Sequence, residues 1–192
     1  MAYDILKDAL KQFKTEFEKN PNFFVRESEI QGYIYNIISS KFQPVKFGFK
    51  GKKEKGSIAE EILKNPLTSL VHTGASSKSR KMIDLVIFEN RQLTFFKRTN
   101  QDFGYWECDN PIDVAVEIKH QRGNRLSSII KNLKQDYEKL VNKEFNINKR
   151  ILLWVDNLNT INNIGDLDKI KEKISKKRDF ELIYISKSFS NI

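Results

Sequence analysis

The sequence predicts an α/β fold, with a central mixed β-sheet flanked by helices and one further helix added at the N-terminus. Three observations predict it. Apolar runs of strand length ("MIDLVIFE", "DVAVEIK", "RILLWVD", "FELIYIS") recur from residue 82 onward. Between the last three lie a long amphipathic stretch and a mostly polar one, both of helical pattern. The 192 residues contain no internal repeat and no evident linker, so one domain over residues 1–192 is the simplest division.

Composition narrows the class. Hydrophobic residues make up 39% and charged residues 31% of the chain, a balance that folds rather than staying disordered. The net charge of +9 favours a polyanionic partner, nucleic acid or an anionic membrane surface. Cys108 is the only cysteine, which excludes an intrachain disulfide framework and a cysteine-based zinc site and fits a reducing cytoplasm. The N-terminus "MAYDILKDALKQFKTEFEKN" carries charges throughout and no apolar h-region, and no run approaches ~18 apolar residues. The expectation is a cytoplasmic protein with no membrane partner.

In chain order, Leu6, Leu10, Phe13 and Phe17 fall on one helical stripe and predict a helix over 3–19, stopped by "NPN". Ser28 and Gln31 have capping-box spacing, so a second helix is expected from Ser28 to about Phe42, with Ile30, Ile34, Ile37 and Ile38 inward. "PVKFGFK" alternates like a strand and leads into the charged loop "GKKEKG". "SIAEEILKN" has the pattern of a short helix and "LTSLVHT" that of a short strand. "MIDLVIFE" is a strongly apolar strand interrupted by Asp84, and "QLTFFKRT" is expected to pair with it as a hairpin across "ENR". "GYWECD" reads as another short strand or a connection. The strand at 112–119 follows, then a long amphipathic helix marked by Leu126, Ile129, Ile130, Leu133, Tyr137, Leu140 and Val141. "RILLWVD" is a buried strand, "DLDKIKEKISKK" a mostly polar helix and "FELIYIS" the last strand.

The chemistry lies in "DVAVEIKHQRGNR", residues 113–125. Strand alternation puts Val114, Val116 and Ile118 on one face and Asp113, Ala115, Glu117 and Lys119 on the other. Asp84 interrupts an equally apolar strand, and an unpartnered buried carboxylate costs several kcal/mol or takes up a proton. If the two strands are neighbours, Asp84 and Glu117 jointly suit a hard divalent cation, with Lys119 beside it to hold a water or an oxyanion. Metal and cation together are what phosphodiester hydrolysis requires. Glu-x-Lys occurs once in the chain, and it falls on an apolar strand.

These residues resemble the PD-(D/E)XK, or restriction-endonuclease-like, nuclease superfamily. The resemblance lies in "KMIDLVIF", then "VAVEIKH", then the helix ending "KQDYEKL", with an earlier helix acid in "ESEIQGYIYNII"; it spans roughly residues 26–156. It implies a restriction-endonuclease-like core over that span, with 1–20 as an N-terminal helix and 157–192 as a C-terminal helix and strand. It implies Asp84, Glu117 and the Ile118 carbonyl as metal ligands, Lys119 orienting or activating water, and Glu29 as an additional acid, with Glu27 as the alternative. Ile83 stands where the proline of the name would be. The implied activity is a Mg²⁺-dependent endodeoxyribonuclease, with Mn²⁺ as a substitute ion. DNA is the implied partner, and cutting both strands with one site per chain favours a homodimer. Restriction-like defence and DNA repair are both served by such chemistry.

Lys78, Arg80 and Lys81 precede the Asp84 strand, and Arg122 and Arg125 follow the Glu117 strand; all five are candidate phosphate contacts. Plainer roles stand beside these. Asp84, Glu117 and Lys119 also suit a structural ion-pair cluster, and Glu29 suits the positive end of its own helix. His72 and His120 read as packing or surface residues, Gln135 and Asp136 as solvent-facing or capping-type polar residues, and Trp106 and Trp154 as core. The alternatives in function are a non-catalytic nucleic-acid-binding module of the same fold and a structural or partner-binding protein.

Overall fold

A computed structural model describes residues 1–50, 67–76, 82–89, 93–97, 106–108, 111–121, 125–177 and 179–192. The charged loop at 51–56 and the short helix expected at 57–65 lie outside these residues. The chain opens with α1 (Ala2–Lys19), a 3₁₀ turn (Pro21–Phe23) and α2 (Glu27–Ser39). Strands β1 (Val45–Lys50), β2 (Leu67–Thr68), β3 (Val71–Ser76), β4 (Met82–Phe88), β5 (Leu93–Lys97), β6 (Trp106–Cys108) and β7 (Ile112–Gln121) follow. The chain then alternates: α3 (Leu126–Leu140), β8 (Ile147–Asp156), α4 (Ile164–Ile174) and β9 (Glu181–Ser186). The class is α/β, a mixed sheet flanked by helices, as the strand and helix periods predict.

The nine described strands run in the order β2-β1-β5-β6-β3-β4-β7-β8-β9. Strands β7, β8 and β9 are parallel, joined through α3 and α4, and β4 pairs antiparallel with both β3 and β7. Parallel strands covered on both faces read as near-continuous apolar runs. That is why "ILLWV" and "LIYI" show no alternation, and every residue from Ile151 to Asp156 is buried.

Two cores result, one per face. Leu6, Leu10, Phe13 and Phe17 of α1 and Ile30, Ile34 and Ile38 of α2 pack on Leu85, Ile87, Val114, Val116, Ile118 and Leu153. Each fully buried Leu, Ile or Phe contributes about 1.5–3 kcal/mol of transfer free energy, so α1 is an integral cover of the sheet. Its Tyr3 hydroxyl donates to Glu181 at 2.5 Å, and Lys149 both pairs with Glu181 at 2.9 Å and lies 4.5 Å over the Tyr3 ring. On the opposite face, α3 and α4 bury Ile129, Leu133, Leu140, Leu167 and Ile170 against Val86, Ala115, Leu152, Trp154 and Tyr184. Trp154 is core, as expected, and its indole N–H donates to the buried Gln121 side chain at 3.0 Å.

Three expectations are corrected. The segment "QLTFFKRT" makes no hairpin with β4, because both edges of β4 are taken by β3 and β7; β5 lies between β1 and β6 instead. "LTSLVHT" is two strands, broken where the Ser69 hydroxyl accepts from the Val71 N–H at 3.0 Å. And α2 begins at Glu27 rather than after Ser28. The Glu29 carboxylate accepts the backbone N–H groups of Val25 and Arg26, the second at 2.8 Å, so Glu29 and not Gln31 closes the helix end.

Candidate active site

The site is built where the β4–β7 ladder opens. The last paired residues are Leu85 and Val116, and one step further Asp84 and Glu117 come opposite each other on one face. At this point side chains replace the backbone of β4. The Asp84 Oδ2 accepts the Ile118 N–H at 2.8 Å, and two residues on, Oε1 of Glu27 accepts the His120 N–H at 3.1 Å. Residues two apart on a strand present their backbone groups to the same edge, so two carboxylates continue the ladder that β4 abandons. A residue's N–H and C=O leave on one edge, which directs the Ile118 carbonyl toward Asp84 as well.

Alternation along β7 holds as the sequence implies. Val114, Val116 and Ile118 join the α1/α2 core, while Glu117 and Lys119 face α3. Glu117 is only 2% exposed; its Oε2 accepts from the Lys139 ammonium at 2.6 Å, while its Oε1 is buried with no hydrogen-bond partner among the described residues. Lys139 also pairs with Asp136 at 2.9 Å. Lys119 lies 3.1 Å from Glu27 and 3.4 Å from Asp136. The side chain of Gln31 donates to the Asp84 carbonyl and ties α2 to β4 at the site.

The electrostatics follow from this packing. Burial, reinforced by the charge on Asp84, pushes the Glu117 carboxyl up to about 8 despite the Lys139 ammonium. Burial also raises Asp84, against the hydrogen bond from Ile118. For Lys119, burial works against the charge, but Asp136 and Glu27 outweigh it and hold the ammonium above the ordinary lysine value.

Of the residues singled out in the sequence, Asp84, Glu117, Ile118 and Lys119 come together. Glu29 does not join them: it is exposed and turned onto its own helix end, and Glu27 is the helix acid that reaches Lys119. Arg125 is the exposed residue before α3. Lys78, Arg80, Lys81 and Arg122 lie outside the described residues. His120 is bonded through Nε2 to Asn157 at 3.1 Å. Asp136, expected as a solvent-facing or capping-type residue, is instead 5% exposed and sits between both lysines. Lys139 was missed. The sequence signal belongs to Asp136, which falls on the stripe of Ile129, Leu133, Tyr137 and Leu140, where a carboxylate is out of place.

Among the described residues, no three His, Cys, Asp or Glu side chains converge as a ready-made cage for a metal ion. The donors present nevertheless suit Mg²⁺, which keeps several waters and takes one or two carboxylates rather than a full protein cage. Glu117 offers an unpartnered buried oxygen next to Asp84, and the Ile118 carbonyl is aimed at the same edge. The cluster sets four carboxyl groups, those of Glu27, Asp84, Glu117 and Asp136, against two ammonium groups, those of Lys119 and Lys139.

Comparison with protein-family models, with characterised proteins and with solved structures finds no match to this chain. Among the described residues, no helix is long and apolar enough to cross a membrane.

Proposed function

We propose that the protein is a metal-dependent nuclease that hydrolyses DNA phosphodiester bonds, with a restriction-endonuclease-like core built around β4 and β7. The observation that carries this is the buried, unpartnered oxygen of Glu117 beside Asp84 at the opened β4–β7 ladder, with Lys119 on the same face. Asp84 and Glu117, with the Ile118 carbonyl, are the residues that would hold Mg²⁺ or Mn²⁺. When bound, such an ion polarises a phosphoryl oxygen and lowers the pKa of a water.

The remaining work belongs to the chain. Lys119 keeps its proton, so it acts as a fixed cation that orients the attacking water or steadies the charge growing on the phosphoryl oxygens. Glu27 and Asp136 fix its position from α2 and α3 and leave little freedom to reorganise. Asp84 is held twice, by Ile118 through its carboxylate and by Gln31 through its carbonyl. The net charge of +9 supports a polyanionic substrate.

The second reading is a structural ion network on a non-catalytic fold, favoured by the full pairing of Lys119 and Lys139. Incubation of linear, circular and branched DNA with and without Mg²⁺ separates the two. Cation-dependent cleavage of any substrate is expected, and intact DNA throughout would leave the structural reading.

A further inference from the structure

Lys139 is the cation that the nuclease reading leaves without a role. Its ammonium sits 2.6 Å from Oε2 of Glu117 and 2.9 Å from Oδ1 of Asp136, on the last turn of α3. Among the described residues no other group hydrogen-bonds to the Glu117 carboxylate, and its second oxygen has no partner. A buried carboxylate with one partner is costly, and Lys139 is the cation that favours its ionised form when no metal ion is bound.

A divalent cation held by Asp84 and Glu117 would share one carboxylate with this ammonium. Two positive charges on the two oxygens of one carboxylate repel across a few ångströms, and the partly dry pocket screens them poorly. Lys139 has somewhere to go. Its side chain is 34% exposed, so it can turn outward, and Asp136 on the same helix, one turn back, keeps it at the rim. Lys119 is not placed to exchange, because its partners are Glu27 and Asp136 rather than Glu117.

We propose that Lys139 is a resident counter-cation for Glu117 that a divalent cation displaces, with Asp136 retaining the displaced ammonium beside the site. This rests on the reading of Asp84 and Glu117 as a divalent-cation site. Lys139 is then a positioning residue: it holds Glu117 in place for the ion and makes cation entry an exchange of charge instead of an addition.

The test uses the wild-type protein and Mg²⁺ alone. Lysines are acetylated with an N-hydroxysuccinimide ester in EDTA and in Mg²⁺, and each site is quantified by mass spectrometry, with calorimetry reporting whether the ion binds. Labelling of Lys139 should rise several-fold in Mg²⁺, while Lys169, an exposed lysine paired with Asp166, stays constant. In Asp84→Asn the rise should vanish. Ion binding by calorimetry with unchanged Lys139 labelling overturns the exchange and leaves the cation site standing. A rise that persists in Asp84→Asn also overturns it. Absence of ion binding removes the cation site itself, and the exchange with it.

Discussion

Replacing Glu117 with glutamine should change how the stability of the metal-free protein depends on pH. In the folded protein, burial and the Asp84 charge move this carboxyl from the ordinary 4.5 to about 8. The folded state therefore binds the proton more tightly than the unfolded chain. Its contribution to stability is whole below about pH 4.5 and is lost as pH rises through about 8. At about 1.4 kcal/mol per pKa unit the loss has a ceiling of about 5 kcal/mol. Glutamine has nearly the same shape and no proton to lose. Lys139 gives up one partner in the variant but keeps Asp136, which trims the gain. Urea denaturation in EDTA at about pH 5 and about pH 9 should show the wild type losing about 2–4 kcal/mol more than Glu117→Gln between them. Saturating Mg²⁺ at the higher pH should restore the wild type, by about 2.7 kcal/mol at a hundredfold excess over Kd, and leave the variant unmoved. Equal losses in the two proteins would refute the account of a strained, buried Glu117.

Three further outcomes are expected. Lys119→Ala should abolish single-turnover cleavage while leaving DNA affinity within a few fold, because affinity comes from many dispersed phosphate contacts; competition binding assays with matched cleavage time courses check this. Glu29→Ala should cost about 1 kcal/mol through loss of the helix cap and leave cleavage intact, whereas Glu27→Ala should slow cleavage with little change in the melting curve. Replacing Arg122 and Arg125 together with alanine should lower the slope of log affinity against log salt by about one unit per lost phosphate contact, read from binding titrations at several ionic strengths.

What was legible in the sequence follows from how far each signal reaches. The faces of β7 could be read directly, since a period of two places Glu117 and Lys119 together whatever surrounds them. Asp84 stood out because its neighbours are apolar, and the structure makes its strand the antiparallel neighbour of β7. The hairpin expected between β4 and β5 failed because closeness in sequence favours local pairing, while β4 finds both partners among β3 and β7. The two acids at the start of α2 are two residues apart, and no periodicity distinguishes them. Only the packing of α2 against β7 turns Glu27 toward Lys119 and leaves Glu29 to its own helix end. By residue type Asp136 suits the polar face of its amphipathic helix, although its position on the buried stripe argues otherwise. The Lys139 contact depends on how α3 lies across β7, which no single segment encodes.

The most direct test of the central claim is cleavage of supercoiled plasmid by wild type and Asp84→Asn, side by side in Mg²⁺ and in EDTA. The account predicts nicked or linear product from the wild type in Mg²⁺ alone and none from the variant in either condition. Cleavage that survives EDTA, or that Asp84→Asn performs at the wild-type rate, would contradict it.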